Sequence, residues 1–149
     1  MKTQTILNYI KINDNISTAG QPKEAELELL ANDGFEVVIN LALSSATNAL
    51  DNEDKIVSNL GMTYIHLPVD FEYPTKDDLK LFLTLLSSLE GKKVFVHCAL
   101  NYRVSAFMYV YHKYFLKTPF DEIDLSLLEE WKPSPIWQDI LKIEFEELS

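Results

Sequence analysis

Three short stretches of the chain are nearly unbroken apolar runs rich in β-branched and aromatic residues: 35–43 (FEVVINLAL), 62–69 (MTYIHLPV) and 93–97 (KVFVH). Runs of this length and composition predict strands buried on both faces of a sheet. Two further short strands are predicted over 9–12 and 16–19, around the turn Asn13-Asp14-Asn15. The segments between and after these runs carry apolar residues at helical spacing. A helix is predicted over 23–32, with Ala25, Leu27, Leu29 and Leu30 and a stop near Gly34. A shorter one covers 52–60 and ends at Gly61.

Thr75 caps the next helix, and Asp78 three residues on makes a carboxylate variant of the capping box. Leu79, Phe82, Leu83, Leu86 and Leu89 then recur at helical spacing until Gly91. The helix predicted over 102–116 is apolar around most of its circumference, which places it centrally in the fold. Two more are predicted over 120–130 and 136–148, behind Thr118-Pro119 and Ser134-Pro135.

Strands alternating with helices define an α/β fold: a central, mostly parallel sheet of about four to five strands with helices on both faces. No repeat, linker or low-complexity tract interrupts the pattern, so residues 1–149 are expected to form a single domain. In such sheets ligands bind at the carboxyl ends of the strands. Cys98 closes the third buried run and Asp70 follows the second.

Composition narrows the function. Among 149 residues 47% are hydrophobic and 24% charged, the balance of a globular chain. No apolar run reaches the roughly 18 residues of a membrane span, and the first residues lack the pattern of a signal peptide. A cytoplasmic location is the expectation. The net charge of −10 disfavours nucleic acid and anionic membranes as partners. One cysteine makes no intrachain disulfide and no multi-cysteine zinc site, and His66, His97 and His112 lack metal-ligand spacing. No metal or cofactor is expected.

The cations are twelve lysines and a single arginine, Arg103, five positions after the single cysteine. Arginine offers a planar fork that grips an oxyanion with two hydrogen bonds. In the segment 94–105 (VFVHCALNYRVS) a strand runs through a tight loop into a buried helix. The backbone N–H groups of Ala99, Leu100, Asn101, Tyr102 and Arg103 are expected to face the loop, where the helix N-terminus adds positive potential. Thiols in such places lose their proton readily, and the thiolate is the nucleophile. Phosphoryl transfer depends mostly on positioning and charge stabilisation, both of which this loop offers.

An acid to protonate a leaving oxygen is also needed. Asp70 is the candidate, with Glu72, Asp77 and Asp78 nearby; Asp78 is expected to be occupied as a cap. His97 is assigned a supporting role through hydrogen bonds to backbone. Ser105 is a candidate for contact with the thiolate, or a helix-surface serine without such a role. Trp131 and Trp137 flank a proline-containing turn and are read as packing residues.

The His97-Cys98…Arg103 loop, with Asp70 in LPVDFEYPT before a helix, resembles the cysteine-dependent protein tyrosine and dual-specificity phosphatases. The N-terminal part (NDNISTAGQPKEAELELLANDGFEVVINL) is more specifically similar to a bacterial phosphatase-like domain also found fused to beta-lactamase-like hydrolases. The resemblance implies that Cys98 attacks phosphorus, Arg103 binds the phosphoryl oxygens and Asp70 is the general acid. It implies a phosphorylated protein or small molecule, or inorganic phosphate or sulfate, as ligand.

Three features depart from that pattern. Four residues separate Cys98 from Arg103 where the phosphatases have five. Asn101 stands where a glycine is usual, although asparagine tolerates positive φ. Val104 intervenes between Arg103 and the hydroxyl of Ser105. Rhodanese-like sulfurtransferases have a shorter loop around a persulfide-forming cysteine. Sulfur transfer through a Cys98 persulfide, and an inactive phosphate-binding module, therefore stand beside phosphatase as readings.

Overall fold

The computed structural model describes residues 2–148. Five strands form one sheet: β1 (Ile10–Lys11), β2 (Ile16–Ala19), β3 (Val37–Asn40), β4 (Thr63–His66) and β5 (Val94–His97). Their order is β1-β2-β5-β3-β4, with β1 antiparallel to β2 and every other pair parallel. The helices are α1 (Glu24–Asn32), α2 (Glu53–Asn59), α3 (Lys76–Ser88), α4 (Tyr102–Tyr111), α5 (Ser126–Trp131) and α6 (Pro135–Leu141). The predicted α/β architecture, with helices on both faces of the sheet, is the one observed.

Side-chain alternation along the strands divides the core in two. Val94 and Val96 of β5, Val37 and Ile39 of β3 and Ile16 of β2 pack with α3, α4 and α6. Phe95, Val38 and Ala19 point the other way, onto Leu27 and Leu30 of α1 and Val57 of α2. Helix α4 buries residues around nearly its whole circumference, including Val104, Ala106, Phe107, Met108 and Val110. It is central, as its composition requires. Thr75 and Asp78 form the predicted capping box of α3, each side chain bonding the other's backbone N–H at 3.0 Å.

Four elements differ from expectation. Strand β4 is an edge strand: Thr63 and His66 are exposed, and the half-buried Ile65 and Tyr64 pack on opposite faces of the sheet, so one neighbour and partial cover on each face were enough for its apolar run. The helix expected over 102–116 changes at His112 into a π-helical turn (His112–Leu116). That turn ends at Lys117, whose φ is +52°, with Thr118 N–H returning to the His112 carbonyl at 3.0 Å. The helix expected over 120–130 splits into a 3₁₀ turn (Phe120–Glu122) and α5, because the Asp124 carboxylate accepts from Ser126 N–H and starts a new helix. The last helix stops at Leu141, and a 3₁₀ turn (Phe145–Leu148) follows as Glu147 accepts from Glu144 N–H.

Candidate active site

The parallel register sets Ala19 of β2 beside His97 of β5, His97 beside Asn40 of β3, and Asn40 beside His66 of β4. The segments leaving these strands therefore emerge at one end of the sheet. They are Gly20-Gln21, the loop from Cys98 to Arg103, the turn after Leu41 and the loop carrying Asp70. The central position of β5 puts the cysteine loop in the middle of that end.

Cys98 is 1% exposed, at the start of this loop. The loop's backbone orientation follows from where its carbonyls are tied. The Cys98 carbonyl accepts from His97 Nδ1 at 3.2 Å. The Ala99 carbonyl accepts from Gln21 N–H and Asn48 Nδ2, both at 3.0 Å. The Leu100 carbonyl accepts from Asn8 Nδ2 at 2.9 Å. The Asn101 carbonyl accepts from Ser105 N–H at 3.0 Å, and that of Tyr102 from Ser105 Oγ at 2.7 Å. In a trans peptide the next residue's N–H points opposite to the carbonyl. The N–H groups of Ala99, Leu100, Asn101, Tyr102 and Arg103 are thereby turned away from all these partners. Among the described residues none of the five donates to a protein acceptor. Five successive amides of this kind, opening into the N-terminus of α4, form a concave donor set of the geometry that suits an anion.

Asn101 makes the turn possible. Its φ is +68°, a region where asparagine is tolerated better than most residues. Its side chain is fully buried, and Nδ2 donates to the Asn8 carbonyl at 2.8 Å and to Thr18 Oγ1 at 3.1 Å. Gly20 lets the neighbouring strand end approach, since a Cβ there would fall 2.7 Å from the Ala99 carbonyl oxygen.

Arg103 is 7% exposed; its Nη1 donates to the Val69 carbonyl at 2.9 Å, and its guanidinium carbon lies 5.6 Å from the Phe71 ring centre. These contacts flank Asp70. Asp70 is exposed, and its Oδ1 accepts from Glu72 N–H at 2.9 Å, a local turn that fixes the side chain. Trp137 Nε1 donates to the Phe71 carbonyl at 2.8 Å, and Phe71 packs edge-on against Trp131 and Trp137. Tyr102 stacks on Trp131 with ring centres 5.1 Å apart. Both tryptophans thus brace the Asp70 loop against the start of α4.

The structure brings His97, Cys98, the five amides and Arg103 into one loop, with Asp70 on the segment that Arg103 holds. Ser105 is engaged with its own helix, since its hydroxyl donates to the Tyr102 carbonyl. Asp78 is occupied by its cap. Four contributors went unseen in the sequence: Asn8, Gln21, Asn48 and Glu53. Glu53 Oε2 lies 2.6 Å from His97 Nε2, and its Oε1 accepts from Gln21 Nε2 at 2.8 Å. The glycine at the end of β2 was the available signal for a close approach there; nothing in the pattern singles out the others.

A cysteine–arginine loop joining the central strand to a buried helix, in this sheet, defines the class of dual-specificity and protein tyrosine phosphatase-like domains. Residues 10–128 match the family model described as DSP-PTPase phosphatase fused to NAD+ kinase, and the chain belongs to that family. A crystal structure of a DUF442 protein from Shewanella putrefaciens CN-32, assigned as a candidate phosphatase, is 34% identical. It superposes with a TM-score of 0.83, covering 93% of this chain and 91% of that one. The P. aeruginosa protein TpbA shares the fold, with a TM-score of 0.75 at 13% identity over 95% of this chain and 88% of its own. The beta-lactamase hydrolase-like protein of Agrobacterium fabrum (strain C58 / ATCC 33970) is 29% identical over 95 residues, 62% of this chain. That match covers 22% of the relative, so the chain corresponds to a minor part of its length. Among the described residues no helix is long and apolar enough to cross a membrane.

Proposed function

We propose that this chain hydrolyses phosphomonoesters through a covalent Cys98 intermediate. The observation that carries this reading is the set of five unpartnered amides around Cys98 with Arg103 at its far end. Those donors suit the three equatorial oxygens of a phosphoryl group in transfer. The Cys98 thiolate attacks phosphorus, the bond from phosphorus to the leaving oxygen breaks, and the Asp70 carboxyl gives that oxygen its proton. Water then attacks the phosphocysteine while the Asp70 carboxylate takes a proton from it. The S–P bond breaks, and phosphate leaves. The substrate is a phosphorylated protein or small molecule. The test is turnover of p-nitrophenyl phosphate by the intact chain and its loss in Cys98→Ser. Absence of turnover, or turnover that survives the substitution, overturns the reading.

The four-residue spacing from Cys98 to Arg103 favours one second reading, sulfur transfer. There the thiolate attacks the outer sulfur of thiosulfate, sulfite leaves with the electron pair of the S–S bond, and Cys98 becomes a persulfide. Cyanide takes the sulfane sulfur as thiocyanate and restores the thiolate. No general acid is required. A mass increase of one sulfur on the intact chain after thiosulfate, with thiocyanate formation, supports this reading against the first.

A further inference from the structure

Two buried side chains outside the cysteine loop are linked to its first two carbonyls. Glu53, at the start of α2, is 5% exposed, Gln21 is 8% exposed and His97 is fully buried. Glu53 Oε2 pairs with His97 Nε2 at 2.6 Å, and His97 Nδ1 holds the Cys98 carbonyl at 3.2 Å. Glu53 Oε1 accepts from Gln21 Nε2 at 2.8 Å, and Gln21 N–H holds the Ala99 carbonyl at 3.0 Å. The four groups close a ring: Cys98–Ala99 backbone, His97, Glu53, Gln21 and back to the backbone. A carbonyl only accepts, so His97 Nδ1 carries the proton in its bond to Cys98. A carboxylate oxygen also only accepts, so in this ring His97 Nε2 donates to Glu53 Oε2 while Nδ1 donates to Cys98, and the carboxylate with its two accepting oxygens holds both arms at once.

We infer that Glu53, acting through His97 and Gln21, is a positioning residue for the anion cradle. It turns the Cys98 and Ala99 carbonyls outward and so aims the Ala99 and Leu100 N–H groups at the ligand. The inference rests on the reading of this loop as an oxyanion site. It adds two residues, 45 and 77 positions before Cys98, to those that set the site's affinity. Neither touches the ligand. Their contribution is the orientation of two peptide planes, and oriented donors bind an anion without reorganising.

Glutamine at position 53 discriminates geometry from charge. Its amide N–H donates to an unprotonated His97 Nε2, its oxygen still accepts from Gln21, and the ring stays closed. Alanine opens it. The experiment is calorimetric titration of the intact chain and its variants with inorganic phosphate, with far-UV circular dichroism as a check on folding. Glu53→Ala is expected to lower phosphate affinity about tenfold, and Glu53→Gln to recover it to within about threefold of the parent. Gln21→Met keeps the side-chain volume and the backbone N–H while losing the bond to Glu53, and decides the matter where Glu53→Ala does not fold. It is expected to weaken phosphate several-fold.

Unchanged affinity in a folded Glu53→Ala or in Gln21→Met overturns the inference and leaves the anion site standing. A Glu53→Gln variant as weak as alanine also overturns it, because charge and not orientation would then matter. Failure of the parent chain to bind phosphate overturns the oxyanion reading and the inference together.

Discussion

Arg103 and Val69 are joined by a 2.9 Å hydrogen bond in which the guanidinium Nη1 donates to the carbonyl oxygen. One side chain thus spans from the cysteine loop to the residue before Asp70. Arg103→Lys replaces the planar fork with a point charge that cannot hold a carbonyl and an oxyanion in the same geometry. The expected result is a loss of about 2 kcal/mol in phosphate affinity, roughly thirty-fold, by calorimetry. Backbone amides of 70–73 should also exchange faster with deuterium, because one anchor of their loop is gone.

Asp70→Asn tests the acid assignment through the leaving group. An alkyl phosphate needs its leaving oxygen protonated, whereas p-nitrophenolate leaves unaided. The variant should lose about a hundredfold in kcat on alkyl phosphates and much less on p-nitrophenyl phosphate. Equal losses on both would remove Asp70 from the mechanism.

Gly20→Ala sets a Cβ 2.7 Å from the Ala99 carbonyl oxygen and 3.2 Å from Leu100 Cα, both backbone atoms. Neither can swing aside as a side-chain tip can. A destabilisation of about 1–3 kcal/mol is expected by urea denaturation, with weaker phosphate binding in the folded fraction. Gly61→Ala meets no atom within 4 Å, so its cost comes from the φ of +85° alone and should leave phosphate binding intact.

Asn101→Ala loses the bonds to Asn8 and Thr18 and leaves an alanine at a φ of +68°. About 2–3 kcal/mol of stability should be lost. Asn101→Gly removes the backbone strain but not the missing bonds, and should fall between alanine and the parent.

Burial raises the Tyr64 phenol to about 12; the Asn40 hydrogen bond lowers it, and Glu53 and Asp54 raise it further. The folded chain therefore keeps this proton longer than the unfolded chain, whose tyrosines titrate near 10. Stability contributed by this group is complete below pH 10 and declines as pH rises towards 12. An alkaline absorbance titration should show Tyr64 among the late phenols, with Tyr111 also held up by burial, and Tyr64→Phe should flatten the fall in melting temperature over that window.

How far the sequence was informative follows from the range of the interactions involved. The buried strands, the Thr75–Asp78 cap and the central helix rest on local periodicity and neighbours three residues apart, and they were legible. The positive φ of Asn101 was also foreseeable, because a tight loop without glycine leaves few residue types able to make it. Asn8, Gln21, Asn48 and Glu53 were not. Each acts through a contact across 44 or more positions, and their residue types are ordinary for a strand entry, a turn and a helix start. Ser105 was ambiguous for a different reason: its hydroxyl had a backbone partner within its own helix, which no spacing rule distinguishes from a ligand contact.

The cradle's carbonyl ties come from Asn8, Gln21, Asn48, His97 and Ser105, so four separated stretches of chain must all be in place before the five amides converge. On the proposed reading, anion recognition and native assembly are one thermodynamic event. A ligand that fits raises the melting temperature, and one present at a hundred times its dissociation constant adds about 2.7 kcal/mol to stability. Thermal denaturation in the presence of a library of phosphorylated and sulfur-bearing metabolites is therefore a direct route to the natural ligand, with no need to guess the reaction beforehand.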